Sequence, residues 1–213
     1  DVRMSDFSSW GPTDDGRIKP DIVAMGVNVF STFSQNNGYG TLQGTSMSTP
    51  NVSGSLILLQ QLYHRLHGRY MNAATLKGLV IHTAHEAGTG HGPDYQFGWG
   101  LANMEGAARF LKGVDSVNVI LQTRSLEEGK TVRVPLRATS GQRVRVTVIW
   151  TDPAGEVFPA SLDPTDVKLV NDLNLVVQDQ SGNVFLPWVL DPSNPSRAAT
   201  RGVNSRDNVE MID

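Results

Sequence analysis

The chain has 213 residues and a formal net charge of −3, with 39% hydrophobic and 18% charged residues. This balance is typical of a folded globular protein and not of a disordered one. Because the chain contains no Cys, disulfides, thiol catalysis and thiolate metal sites are excluded. The slightly acidic balance argues against nucleic acid as a partner. No run approaches the roughly 18 apolar residues that a membrane-spanning helix needs.

The first elements in chain order are short strands. The apolar triplet Ile22–Ala24 is typical of a buried strand, and residues 27–32 alternate between apolar and polar side chains. Alternation with a period of two predicts a half-buried strand. We therefore expect strands in the stretch that precedes residue 44.

The run Gly44–Pro50 (GTSMSTP) is followed at once by an apolar stretch with helical periodicity. We expect Pro50 in the first helical turn, where a missing N–H costs nothing. Ser46 then lies at a helix N-terminus, where backbone N–H groups point outward. A hydroxyl there can attack a carbonyl, and the Ser46 backbone N–H can stabilise the oxyanion that forms. The alternative is that Ser46 or Ser48 only caps the helix.

Three helices are predicted in the first half of the chain. The first follows Ser46 and ends at Gly68, with an apolar face that carries Val52, Leu56, Leu59, Tyr63 and Leu66. The second runs from about residue 72 to 83. The third begins at Asn103, which is a good N-cap, and ends at Gly113.

From residue 117 onward the period changes to two. Strands are predicted at residues 131–136, 143–150, 173–177 and 184–186, with a turn at 180–183. Residues 208–213 are typical of the start of a further strand. Strands and turns without helices predict an antiparallel sandwich, and the strand signal at residues 208–213 leaves open whether that sandwich is complete or incomplete. The predicted division is an α/β unit over residues 1–113 and an all-β unit over residues 114–213.

Four segments resemble subtilisin-like serine proteases in the order that this family has them. They are FSSWGP, KPDIVA, YGTLQGTSMSTP and YQFGWGLAN, at residues 7–12, 19–24, 39–50 and 95–103. The resemblance implies the C-terminal part of a subtilisin-like parallel-sheet domain, with Ser46 as nucleophile and protein or peptide substrates. The chain departs from the family pattern at Met25 and Asn51, and neither position performs chemistry in that family.

The resemblance also implies a catalytic Asp and His that precede the serine, with the His as base and the Asp as its orienting partner. No His precedes Ser46 in this chain, and His64 follows it by 18 residues on the predicted helix. That separation is roughly 27 Å, beyond the reach of a proton transfer. We therefore expect a fragment that begins mid-domain, with its missing N-terminal part as partner and no activity of its own. The alternative is a catalytically dead relative that binds a partner through its sandwich.

The second half resembles a jelly-roll-like domain found in some bacterial subtilisin-like proteases, through residues 150–153 and 169–175. Such domains often bind calcium, an ion that prefers carboxylate and carbonyl oxygens. The predicted ligands are Asp172 and Asp207, and the ion is expected to be structural. The alternative is that these acids only solvate loops and form turns. A secreted location is expected from the resemblance and the lack of Cys.

Overall fold

A helical part is followed along the chain by a strand-rich part. The computed structural model describes residues 2–34, 37–114, 119–139 and 141–213. The helices in these ranges are α1 (Thr45–His67), α2 (Ala73–Thr83) and α3 (Met104–Gly113). The strands are β1 (Val29–Phe33), β2 (Gly38–Leu42), β3 (Val146–Ile149), β4 (Val177–Gln178), β5 (Val184–Phe185), β6 (Trp188–Val189), β7 (Thr200–Arg201) and β8 (Val209–Ile212).

Helix α1 ends where the sequence predicted. Gly68 adopts a left-handed conformation (φ 68°), and its N–H donates to the His64 carbonyl at 2.8 Å. Glycine suits this position because it has no Cβ to clash. Leu59 and Tyr63 are buried as expected, whereas Leu66 in the last turn is 47% exposed. The apolar face of α1 therefore stops before the end of the helix.

Helices α2 and α3 both begin with an asparagine cap. Asn72 accepts a hydrogen bond from the Thr75 amide at 2.7 Å, and Asn103 accepts one from the Gly106 amide at 2.8 Å. Each cap satisfies an amide that has no intrahelical partner, which confirms both predicted helix starts. In α2, residues 78–81 are all buried, so this helix is covered on more than the one face that the sequence predicted.

The segment before α1 forms a hairpin and a parallel bridge. Strands β1 and β2 are antiparallel, with Val29 opposite Leu42. Val23 forms a parallel bridge with Leu101, which in turn forms an antiparallel bridge with His85. The predicted strand at residues 22–24 is thus reduced to one bridging residue. Its pairing with Leu101 is parallel, as expected for the predicted α/β unit.

The strand-rich part consists of separate antiparallel pairs in the described residues: β3 with β8, β4 with β5, and β6 with β7. The β4–β5 hairpin confirms the turn predicted at residues 180–183, and β8 confirms a strand after residue 208. The strand predicted at residues 131–136 is wrong, because an alternating segment needs a hydrogen-bonded neighbour and none of the described strands pairs with it. The sandwich itself stays a prediction.

Two hydrophobic cores are formed by the residues that the structure describes. The first joins the three helices and contains Leu59, Tyr63, Met71, Leu79, Val80, Ala107 and Leu111. The second contains Ile18, Ile81, Tyr95, Trp99, Val209 and Met211, with Ile149, Trp188 and Leu190 packed against it. The second core draws side chains from both sides of the predicted boundary at residue 113.

Candidate functional site

Ser46 lies where the sequence predicted, at the N-terminus of a long helix. It is the second residue of α1, and it is exposed. The Gly44 carbonyl accepts hydrogen bonds from the amides of Met47 at 3.0 Å and Ser48 at 3.3 Å. The amides of Thr45 and Ser46, which come before Met47 in the helix, have no hydrogen-bond acceptor within the helix. The Ser46 hydroxyl and the Ser46 amide are therefore both available to a bound carbonyl group.

The loop that carries Ser46 is fixed to the segment at residues 24–26. The Gly44 amide donates to the Gly26 carbonyl at 2.8 Å, and the Ser48 hydroxyl donates to the Ala24 carbonyl at 3.0 Å. A Cβ on Gly26 would lie 2.8 Å from the Gly44 carbonyl oxygen and 3.1 Å from the Ser48 Cβ. Sequence reasoning missed this support, for which the only local signal is the small size of residue 26.

Pro50 is not in the first turn of the helix, contrary to the sequence prediction. Helix α1 begins at Thr45, so Pro50 is its sixth residue. A residue at that position normally donates its N–H to the carbonyl four residues earlier. Because proline has no N–H, the Ser46 carbonyl lacks that helical donor. The loop thus enters the helix earlier than the position of the proline suggested.

None of the histidines in the described part of the chain hydrogen bonds to Ser46. His64 stacks on Tyr70 with ring centroids 4.7 Å apart, far along α1 from Ser46. His82 shares a hydrogen bond with the Thr147 hydroxyl at 2.9 Å. Burial, together with the nearby Arg145 charge, lowers the pKa of His82 to about 4. This histidine is therefore neutral at pH 7 and occupied by a structural contact.

The two predicted calcium ligands, Asp172 and Asp207, lie in different surroundings, and calcium binding stays a prediction. Asp207 is buried, and its two oxygens accept hydrogen bonds from the Ile18 amide at 2.8 Å and the Asn204 side-chain amide at 3.0 Å. Burial raises the pKa of Asp207. Asp172 is exposed, and within the described ranges no three or more His, Asp or Glu side chains are placed to hold a metal. Asp207 connects the start of the chain to its end.

Glu210 is a buried acid that sequence reasoning missed. It is 1% exposed, and Oε2 accepts a hydrogen bond from the Leu175 amide. Oε1 has no hydrogen-bond partner among the described residues. Burial raises the pKa of Glu210 to about 7, and the charges of Asp172 and Asp207 act in the same direction. The sequence signal was an acid between Val209 and Met211 in a strand.

Asp213 is the centre of a cluster of charged side chains. Its Oδ1 accepts from the Trp188 indole at 2.9 Å, and its Oδ2 lies 2.7 Å from Arg143 and 2.9 Å from Arg145. Burial alone would raise the pKa of Asp213. The hydrogen bonds from Trp188 and Arg145 and the arginine charges outweigh burial and lower it to about 2. This cluster is structural and carries no candidate reacting group.

No helix in the described ranges combines the length and the apolar character that crossing a bilayer requires.

The sequence model of a family described as the subtilase family matches residues 2–100. The chain is 44% identical over 80 residues to the PII-type proteinase of Lacticaseibacillus paracasei, an alignment that covers 37% of this chain and 4% of that protein. It is 54% identical over 62 residues to the C5a peptidase of Streptococcus pyogenes serotype M18 (strain MGAS8232), covering 29% of this chain and 5% of that protein.

Among solved structures, the chain is similar to the Clostridium perfringens CspB protease. The identity is 30%, the TM-score is 0.41, and the match covers 46% of this chain and 22% of that chain. The aligned segments span only 4% and 5% of the two curated relatives, which are thus far longer than this chain.

Proposed function

Because residues 2–100 match the sequence model of the subtilase family, we propose that the intact protein is a serine endopeptidase in which Ser46 is the nucleophile. Its hydroxyl adds to the peptide carbonyl, the amine leaves, and water hydrolyses the acyl-enzyme. The Ser46 amide donates to the oxyanion of the tetrahedral intermediate. The observation that carries the proposal is an exposed Ser46 at the start of α1, in a loop held by Gly26 and Ala24.

We further propose that the general base and its orienting acid come from a part of the protein outside residues 1–213. A serine hydroxyl is a weak nucleophile without an adjacent base. His64 and His82 are engaged elsewhere, on Tyr70 and Thr147. The much greater length of the curated relatives supports a larger protein. Residues 1–213 alone are then inactive.

The surface around Ser46 supports a partner that covers it permanently. Residues 22–64 contain no Asp, Glu, Lys or Arg. Large apolar side chains in this stretch are nevertheless exposed: Met25 67%, Phe30 69%, Tyr39 69%, Ile57 69% and Leu58 66%. Obligate interfaces resemble a hydrophobic core cut in half, and exposed apolar patches mark such contacts. The remaining part of the catalytic domain, carrying the base, is the occupant that fits this neutral surface.

Proteins or peptides are the proposed substrates, in line with the printed names of the two relatives as a proteinase and a peptidase. Export from the cell stays a prediction, to be checked by fractionating cells that express the intact gene product.

The test is covalent labelling of the intact protein with a fluorophosphonate probe. Label is expected at Ser46, and Ser46→Ala should abolish it and lower peptide hydrolysis by several orders of magnitude. Ser53→Ala is the matched control, because Ser53 lies on the same helix and its hydroxyl only contacts the Thr49 carbonyl. Label that survives Ser46→Ala overturns the nucleophile assignment. Hydrolysis by residues 1–213 alone overturns the external base.

A further inference from the structure

Three glycines within residues 2–100 leave room for side chains that come from residues 146–213. A Cβ on Gly78 in α2 would lie 2.5 Å from Ile149 Cγ2, and one on Gly92 would lie 2.7 Å from Trp188 Cδ2. A Cβ on Gly16 would lie 3.0 Å from Arg206 Nη1. Gly16 and Gly92 also have positive φ values, which favour glycine on their own.

Gly78 is the most informative of the three. It lies inside a helix, where glycine is disfavoured relative to alanine. Its φ is not positive, so backbone conformation does not explain it. The contact with Ile149 does explain it, because any larger side chain would collide with β3. Helix α2 is therefore shaped to receive β3.

Polar contacts cross the same boundary close to Gly78. The Arg145 guanidinium donates to the His82 carbonyl at 2.8 Å, and His82 shares its ring hydrogen bond with Thr147. Elsewhere along the boundary between the two parts, the Asp207 carboxylate accepts a hydrogen bond from the Ile18 amide. Each hydrogen bond of this kind contributes modestly to stability even after exchange with water, so separating the two parts loses these bonds in addition to the apolar contacts.

Helix α2 lies between the nucleophile helix and the C-terminal strands. Leu79 and Val80 pack into the core that contains Leu59 and Tyr63 of α1. The next residue, Ile81, packs into the other core with Val209 and Met211 of β8. A displacement of β3 and β8 therefore reaches α1 through α2 and the core that α2 shares with α1 and α3.

We propose that the β3–β8 pair is a structural clamp on α2 and, through α2, on the helix that carries Ser46. Residues 2–114 and 146–213 then fold and unfold as one cooperative unit and not as two domains. This clamp goes beyond the proposed peptidase function and does not depend on it.

The test uses hydrogen exchange on the intact protein with Gly78→Ala. Overpacking of this kind lowers the folding equilibrium constant roughly 10- to 100-fold, and amides in α1 and β8 should lose protection together. The double variant Gly78→Ala/Ile149→Ala removes the colliding Cγ2, so its loss of stability should be smaller than the sum of the losses in the two single variants. Gly54→Ala is the control, because it is also inside a helix and its Cβ would meet nothing within 4 Å. Unchanged protection in β8 or in α1 overturns the clamp.

A second measurement uses the wild-type chain and does not depend on whether a variant folds. The connection at residues 153–168 has no regular secondary structure, and in it Val157 is 98% and Leu162 is 91% exposed. A brief protease treatment should cut there and leave β3 and β8 on different pieces. The pieces should elute together from a size-exclusion column. Pieces that separate without denaturant overturn the proposal.

Discussion

Replacing Glu210 by Gln should change how the stability of this protein depends on pH. Glu210 is 1% exposed, and its pKa rises from an ordinary 4.5 to about 7. A group whose pKa is raised by folding binds its proton more tightly in the folded state. Its stabilising contribution is complete below pH 4.5 and is lost as the pH rises to about 7. Since one pKa unit corresponds to about 1.4 kcal/mol, the loss is on the order of 3 kcal/mol.

His82 has the opposite effect over nearly the same pH range. Its pKa falls from 6.5 to about 4 on folding, so the unfolded chain binds the proton more tightly. As the pH falls from 6.5 to about 4, stability is lost, again on the order of 3 kcal/mol. Between about pH 4.5 and 6.5 the contributions of Glu210 and His82 therefore offset each other. These two groups together should therefore leave little net pH dependence of stability in this range.

The assay is urea unfolding of residues 1–213 at several pH values, followed by tryptophan fluorescence. Glu210→Gln preserves the shape of the side chain and removes its titration. The free energy of unfolding of this variant should rise more steeply with pH between 4.5 and 6.5 than that of wild type, because Glu210 no longer offsets the contribution of His82. His82→Gln should give the opposite slope. Curves for Glu210→Gln and wild type that stay parallel across this range would refute the reasoning about the buried carboxyl.

Three further predictions concern the nucleophile loop, calcium and charge. Gly26→Ala should lower the free energy of unfolding by about 1–3 kcal/mol through overpacking against Gly44 and Ser48, as measured by thermal unfolding. It should also slow probe labelling of the intact protein. Unchanged labelling would show that this support is dispensable. Calcium bound only by the folded state, with Asp172 and Asp207 as the predicted ligands, should raise stability by about 2.7 kcal/mol at a hundredfold excess over its Kd. Equal melting temperatures in chelator and in millimolar calcium would speak against it. Asp213 should make acid unfolding begin as the pH falls below about 4, because its pKa of about 2 lies below the ordinary 3.8; Asp213→Asn should remove that part of the acid transition in a circular dichroism titration.

The sequence by itself determined the local features of this protein. Asn72 and Asn103 cap helices, and Gly68 ends one, because each of these residues satisfies or permits a particular backbone conformation within a few residues. The run at residues 44–50 placed Ser46 at a helix start for the same local reason. The absence of a histidine before Ser46 is likewise visible in the sequence alone.

Only the tertiary structure decided which distant residues meet. Asp207 accepts from the Ile18 amide across 189 positions of the chain, and no periodic pattern encodes such a pair. The same holds for Gly78 against Ile149, for the buried Glu210 carboxyl and for the failure of residues 131–136 to pair. Periodicity reports which face of an element is apolar, but it does not report what covers that face. Those contacts depend on packing between elements, and packing is decided by the whole fold.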